Sequence, residues 1–442
     1  MSSAHHLPRR QFLKTAASAV FAAPFITRDL IANPPSGQVI HASFGAAGMA
    51  WADLTSIATH KSVRMVACAE VDSNRALEFR KKFPDAKVYA DYRILLEKEK
   101  LDSCNVSTPD HMHAPIGMLA LHHGVNVYGQ KPLTHDLYET RRLAEFAAQK
   151  KRVTQMGIQI HSAREYKLAV QLVHQGVIGK VREVHTWSNK AWGDNGTMPQ
   201  RNDPVPANLN WDLWLGVCQP RPFIGGDWYH PGNWRKRLDF GTGTFGDMGC
   251  HIFDPVFGAL GLTAPVSVRS EGAPPNSHSW ATNAVIHYLF PATQYTVPGK
   301  IPVTWYDGDQ KPPAEIRALL EGKPLPEQGS IVIGTEGILV IPHIEDPILL
   351  PQAKFAGFKF PKIEGADHWH EFVDAVRGQG KTSAGFEYSG PLTESVLLGS
   401  VATRFPKTTL DWNSSKLKFT NVKEANAFVR RKYRAGWETR GL

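Results

Sequence analysis

From residue 39 onward the apolar and polar positions follow two different periods. Short continuous apolar runs over 39–44, 63–71, 101–106, 125–128 and 153–157 predict strands. Between them, amphipathic stretches over 49–60, 74–83, 114–123 and 136–150 predict helices. Continuous apolar strands separated by helices imply a parallel sheet covered on both faces. Beyond Gly157 the pattern changes. A helix over 164–175 leads to a strand over 181–188, followed by alternating or aromatic-rich segments over 266–271, 282–290, 303–306, 330–334 and 337–342. These predict a largely antiparallel sheet. The fold class is therefore α/β, with a parallel-sheet domain over 36–157 and an α+β domain over 158–442.

Composition narrows the picture. At 442 residues the chain exceeds the ~100–200 residues of one typical domain. Hydrophobic residues at 42% and charged residues at 21% exclude a mainly disordered, collagen-like or coiled-coil protein. The four cysteines, Cys68, Cys104, Cys218 and Cys250, form no C-x-x-C pair, so neither a disulfide framework nor a cysteine metal site is expected. His368-Trp369-His370-Glu371 has the look of a metal cluster but lacks a third spaced ligand, and reads as a solvated helix start.

The first 35 residues read as an address. Arg9-Arg10-Gln11-Phe12-Leu13-Lys14 precedes a modest alanine-rich apolar run and looks like a twin-arginine export signal. The run is shorter than the ~20 residues that span a bilayer, and no later stretch qualifies, so a periplasmic or otherwise exported protein without a stable membrane anchor is expected. Lys and Arg total 50 against 41 Asp and Glu, a net +9. The address carries +3 of this and leaves +6. No basic stripe with a nucleic-acid fold accompanies that charge, which excludes nucleic acid as the expected partner and fits solubility and attraction of acidic sugars.

Ligands of parallel sheets bind at the carboxyl ends of the strands. The first such loop is Gly45-Ala46-Ala47-Gly48-Met49-Ala50. A dinucleotide fingerprint places glycine at the first, third and sixth positions, held here by Gly45, Ala47 and Ala50, with Gly48 beside the departure at Ala47. Glu70 ends the second strand, where a carboxylate accepts hydrogen bonds from ribose hydroxyls and repels a 2′-phosphate, favouring NAD over NADP. The first domain is thus Rossmann-type.

Two further strand-end loops, Thr108-Pro109-Asp110-His111-Met112-His113 and Tyr128-Gly129-Gln130-Lys131-Pro132-Leu133, join a later Gly-rich turn that runs from Asp239 to His251 and ends Asp247-Met248-Gly249-Cys250-His251. In this order they resemble the glucose–fructose oxidoreductase, inositol dehydrogenase and rhizopine-catabolism (Gfo/Idh/MocA) family. Gln130 stands where the family pattern has glutamate; it keeps an acceptor and removes a negative charge beside Lys131. The resemblance implies that Thr108, Pro109, Asp110, His113, Gln130 and Lys131 join Gly45, Ala47, Gly48, Met49 and Glu70 in holding NAD, with NADP as the alternative; export of an already folded protein by the twin-arginine route implies that the cofactor is tightly bound. It also implies a large open-faced sheet and a homo-oligomer, dimer or tetramer.

Asp247 and His251 stand four apart, on one helix face. A carboxylate beside an imidazole raises its basicity and fixes its tautomer, which suits a general base. Lys131 supplies a compact charge for an alkoxide. In the family, matching residues have these roles. Six of the twelve tryptophans fall between Trp187 and Trp234. Among them, Lys190, Tyr229, His230 and Arg235 are the substrate candidates, while Trp211 and Trp214 are expected in the core. The expected activity is exported, NAD(P)-dependent oxidation of a hydroxyl of a sugar, sugar derivative or cyclitol. A redox-neutral glycoside-cleaving enzyme and a non-catalytic carbohydrate-binding descendant are the alternatives.

Overall fold

The computed structural model describes residues 37–442. The export signal expected over 1–35 lies outside the described residues. Strands β1 (Val39–Phe44), β2 (Val63–Ala69), β3 (Lys87–Tyr89), β4 (Ser103–Val106), β5 (Asn126–Gly129) and β6 (Thr154–Met156) form a wholly parallel sheet in the order β3-β2-β1-β4-β5-β6. The order reverses between β1 and β4, and the loops after these two strands open one crevice. β1 and β4 are buried almost throughout, as their unbroken apolar character requires.

β3 and the helix Tyr92–Lys98 after it have no counterpart in the expected elements. Helix Leu137–Lys150 starts where Asp136 and Glu139 form a reciprocal capping box.

The second sheet has nine strands: β7 (Val181–Ser188), β8 (Ser267–Ser270), β9 (Val285–Pro291), β10 (Lys300–Asp307), β11 (Gln328–Gly334), β12 (Ile338–Pro342), β13 (Ile348–Leu350), β14 (Leu410–Asn413) and β15 (Lys418–Phe419). Only β7 and β10 pair in parallel; every other pairing is antiparallel. The expected open face is partly closed. Leu320, with Ile316 and Leu325 alongside, packs on Trp187, Tyr306 and Ile331. Along β9 the face stays open, with His287 and Leu289 exposed and their neighbours Ile286, Tyr288 and Phe290 buried.

Helix Phe386–Ala402 is buried on nearly every side, which suits its apolar sequence. It contacts helix Leu137–Lys150 of the first domain and helix Gly243–Ile252 of the second. Helix His368–Val376 returns to the first domain against helix Met49–Ile57. The reading of its start as solvated is corrected: His368 is buried, with Nε2 2.8 Å from the Met156 carbonyl and Nδ1 2.7 Å from Ser162 Oγ. Among the described residues no helix is long and apolar enough to cross a membrane.

Candidate active site

A cavity of about 590 Å³ lies at the carboxyl ends of β1, β2, β4 and β5 and continues into the second domain. Its dinucleotide end is built on glycine. Gly45 has φ +97°, and a Cβ there would stand 2.7 Å from the Ser107 carbonyl oxygen. Gly48 has φ 63° and ψ −127° at the start of helix Met49–Ile57, a conformation that L side chains rarely adopt. The conformational freedom missing at Ala47 is supplied one residue later. Ala47, Met49, Thr108 and Pro109 complete this wall. Glu70 closes the far end beside Arg75, its carboxylate accepting from the Ala46 N–H (3.0 Å) and the Asp72 N–H (3.1 Å). Burial pushes its carboxyl up, against those two N–H groups.

The next two loops are laced together from behind. The His113 ring lies between the carbonyls of Thr108 and Pro132, 2.8 Å from each. Asp110 is buried and accepts from Thr242 Oγ1 at 2.7 Å. Gln130 donates through Nε2 to Asp53 at 2.8 Å, and the same carboxylate accepts from Ser107 Oγ (2.7 Å) and Trp369 Nε1 (3.0 Å). Burial pushes Asp53 up to about 6, opposed by these donors. Sequence reasoning missed Asp53, because nothing near it in the chain marks it as more than a polar position on a helix.

At the other end Lys131 Nζ donates to both the carboxylate and the backbone carbonyl of Asp247, at 2.6 Å each. Arg235 Nε reaches the same carboxylate oxygen at 3.4 Å. Burial pushes the Asp247 carboxyl up, yet the charges of Lys131 and Arg235, the Lys131 hydrogen bond and the Lys190 charge hold it well below the usual range. This corrects the expected pairing of Asp247 with His251. A lysine ammonium at contact distance takes the carboxylate, and His251 keeps a buried Nδ1 without a partner. Burial, Lys131 and His343 lower the His251 pKa well below its ordinary value, so the ring is a neutral acceptor.

His343, just past β12, was not expected from sequence. Its ring lies 6.0 Å from that of His251, and Tyr166 Oη is 2.7 Å from its Nδ1. Burial, with Lys190 and Lys131, lowers it to about 4. A lone histidine after a strand carries no local signal of this placement.

Of the substrate candidates, Lys190, His230 and Arg235 line the cavity. His230 Nε2 is held 2.9 Å from Asp72 Oδ2. Tyr229 does not line it: only 2% exposed, it packs with Trp211, Trp214 and Phe240, and the substrate role expected for it is corrected to support of the wall. Trp214 joins that core but also lines the cavity, as does Trp192.

The donor set fits a dinucleotide. The glycine-built turn, the Glu70 carboxylate at one end and a buried Thr108 Oγ1 with no partner in this wall are the groups that ribose and phosphate oxygens need.

A family model described as "Oxidoreductase family, NAD-binding Rossmann fold" matches residues 42–158, and one described as "Oxidoreductase family, C-terminal alpha/beta domain" matches residues 167–439. Inositol 2-dehydrogenase 4 of Saccharopolyspora erythraea is 27% identical over 154 residues, 34% of this chain and 46% of its own. An alpha-N-acetylgalactosaminidase of Shewanella oneidensis is 25% identical over 207 residues, 40% of this chain and 45% of its own. The chain spans less than half the length of the curated relatives it matches. In fold it is similar to the WlbA dehydrogenase of Bordetella pertussis, crystallised with NADH and UDP-GlcNAcA. That likeness has a TM-score of 0.61 and 13% identity, over 85% of this chain and 99% of that one.

Proposed function

The chain belongs to the Gfo/Idh/MocA oxidoreductase family, and on that premise we propose that it is a dehydrogenase acting on a hydroxyl of a sugar, sugar derivative or cyclitol. One observation carries this reading: Lys131 and His251 line the same cavity as the Gly45–Gly48 turn. The Gly45–Gly48 turn and Glu70 would hold NAD, which would supply the acceptor for the hydride of the substrate C–H. Lys131 spends two of its three ammonium donors on Asp247 and has the third for the substrate oxygen, where it stabilises the alkoxide. His251, neutral, accepts the hydroxyl proton. Asp247 is a positioning residue that fixes the lysine. Glu70 favours NAD, the match to a family model described as NAD-binding supports the cofactor, and a relative named as an inositol 2-dehydrogenase supports the substrate class.

The test is the mass and absorbance of any dinucleotide that co-purifies, followed by a panel of sugars and cyclitols. Absence of dinucleotide binding even at millimolar concentration overturns the reading.

Tight retention of the cofactor and export belong to the same proposal, supported by Arg9-Arg10-Gln11-Phe12-Leu13-Lys14. Replacing both arginines with lysine retains the protein in the cytoplasm if export runs by the twin-arginine route. Assembly into a dimer or tetramer is supported by the exposed Leu289 and His287 on β9, and light scattering decides it.

A second reading is redox-neutral glycoside cleavage. Transient oxidation acidifies the neighbouring C–H, elimination releases the aglycone, water adds, and the hydride returns. The Tyr166–His343 pair favours it, because removal of the acidified C–H proton calls for a second base and the His343 ring lies 6.0 Å from that of His251. A relative named as an alpha-N-acetylgalactosaminidase supports it as well. Aglycone release without added cofactor distinguishes this reading from the first.

A further inference from the structure

Around the reacting end of the cavity, cations outnumber the acids available to them. Lys131, Lys190 and Arg235 share the wall with Asp247 and Asp110. Asp110 is bonded to Thr242, and Asp247 is taken by Lys131 and Arg235. The Lys190 ammonium has neither a hydrogen bond nor an ion pair among the described residues, although its field reaches Asp247, His251 and His343.

Arg235 is under-used in the same way. Its guanidinium lies 4.3 Å from the Trp234 ring and 5.5 Å from that of Trp192, and its Nε alone is engaged, by Asp247. Its backbone is pinned too, since a Cβ on Gly241 would stand 2.5 Å from the Arg235 Cα. A guanidinium carries five N–H donors in a rigid fork that matches the two oxygens of a carboxylate. Holding that fork against two indoles removes much of the entropy cost of using it.

We infer that the substrate is an acidic sugar whose carboxylate is bound by Arg235 and Lys190 while the hydroxyl to be oxidised lies at Lys131 and His251. This rests on the cavity being a sugar dehydrogenase site, and it narrows the substrate class to uronic or aldonic acids.

The experiment uses dinucleotide-loaded full-length protein and calorimetric titration with matched pairs, glucose against glucuronate and galactose against galacturonate. Glucose 6-phosphate is an additional arm, and turnover of each compound is followed separately. The acid of a pair is expected to bind about 10- to 100-fold more tightly than its neutral partner. That gap shrinks with added salt and in Lys190→Met, whose side chain is exposed and whose fold is not at risk. Arg235→Lys keeps a charge and loses the fork, so it too narrows the gap. Equal binding of acid and neutral sugar, or preference for the phosphate, overturns the inference and leaves the dehydrogenase reading intact. An acid that binds with this preference but is never oxidised upholds the subsite and overturns that reading. Binding of no sugar at all overturns both.

Discussion

The amide of Gln130 donates a 2.8 Å hydrogen bond to the fully buried carboxylate of Asp53. The negative charge absent from position 130, relative to the family pattern, therefore stands one side chain further back, where it anchors Ser107 and Trp369 as well. Gln130→Glu would restore the family residue and place two carboxylates against each other in a buried site. We predict a loss of about 2–3 kcal/mol at neutral pH. Adding Asp53→Asn to Gln130→Glu exchanges the two charges and recovers most of it. Denaturant midpoints of the two single variants and the double variant, read as a cycle, check this.

Asp53 also gives stability a pH dependence of known sign. Its pKa rises from 3.8 in the unfolded chain to about 6 in the folded one, chiefly through burial. The native state thus holds the proton more tightly, and the contribution is complete below about pH 4 and lost as pH rises through about 6. The magnitude is at most about 3 kcal/mol. Unfolding of the native protein and of Asp53→Asn, measured from about pH 4 to about pH 7, should show the difference between them shrinking as pH rises.

Lys131→Met should lower kcat by about 10²–10³-fold, because it removes a preorganised charge at the developing alkoxide. His251→Phe should cost about 10²–10⁴-fold through loss of the proton acceptor. Burial, Lys131 and His343 all push the His251 pKa down, so the acid limb of kcat/KM in the unaltered protein lies below the ordinary imidazole range. In Lys131→Met one of those causes is gone, and the limb shifts toward higher pH.

Glu70 and Arg75 sit together where the ribose of the dinucleotide is expected. Glu70→Ser should weaken NAD by about 10-fold through loss of a charged acceptor. It should also strengthen NADP, since Arg75 then meets a 2′-phosphate without an opposing carboxylate. Dissociation constants for both dinucleotides check the reversal.

The parallel strands and the three loops that end them were legible because they are local: an unbroken apolar run and the turn residue that follows it, Gly45, Pro109 or Pro132, lie within ten residues. β3 is the mixed triplet Lys87-Val88-Tyr89, with no apolar run to mark it, and helix Tyr92–Lys98 is only about two turns long, so neither shows a period. Spacing put Asp247 and His251 on one helix correctly, but helix geometry does not say which neighbour a carboxylate chooses. Lys131, 116 residues away in the chain, decides that. Tyr229 and His230 are adjacent and equally plausible as sequence, yet one faces an aromatic core and the other the cavity. Asp53 and His343 gain their significance only from partners distant in the chain.

The bond between Asp53 and Trp369 joins positions 316 residues apart. On a ribosome, the first domain emerges long before the indole that completes its buried carboxylate cluster. The closing segments arrive later still: the Arg431 N–H binds Asp136, and Tyr433 Oη binds Glu139. Contacts of such sequence separation form late and slow the folding of the unit that needs them. A nascent chain interrupted before Trp369 therefore presents Ser107 and Gln130 to a carboxylate that lacks its indole donor.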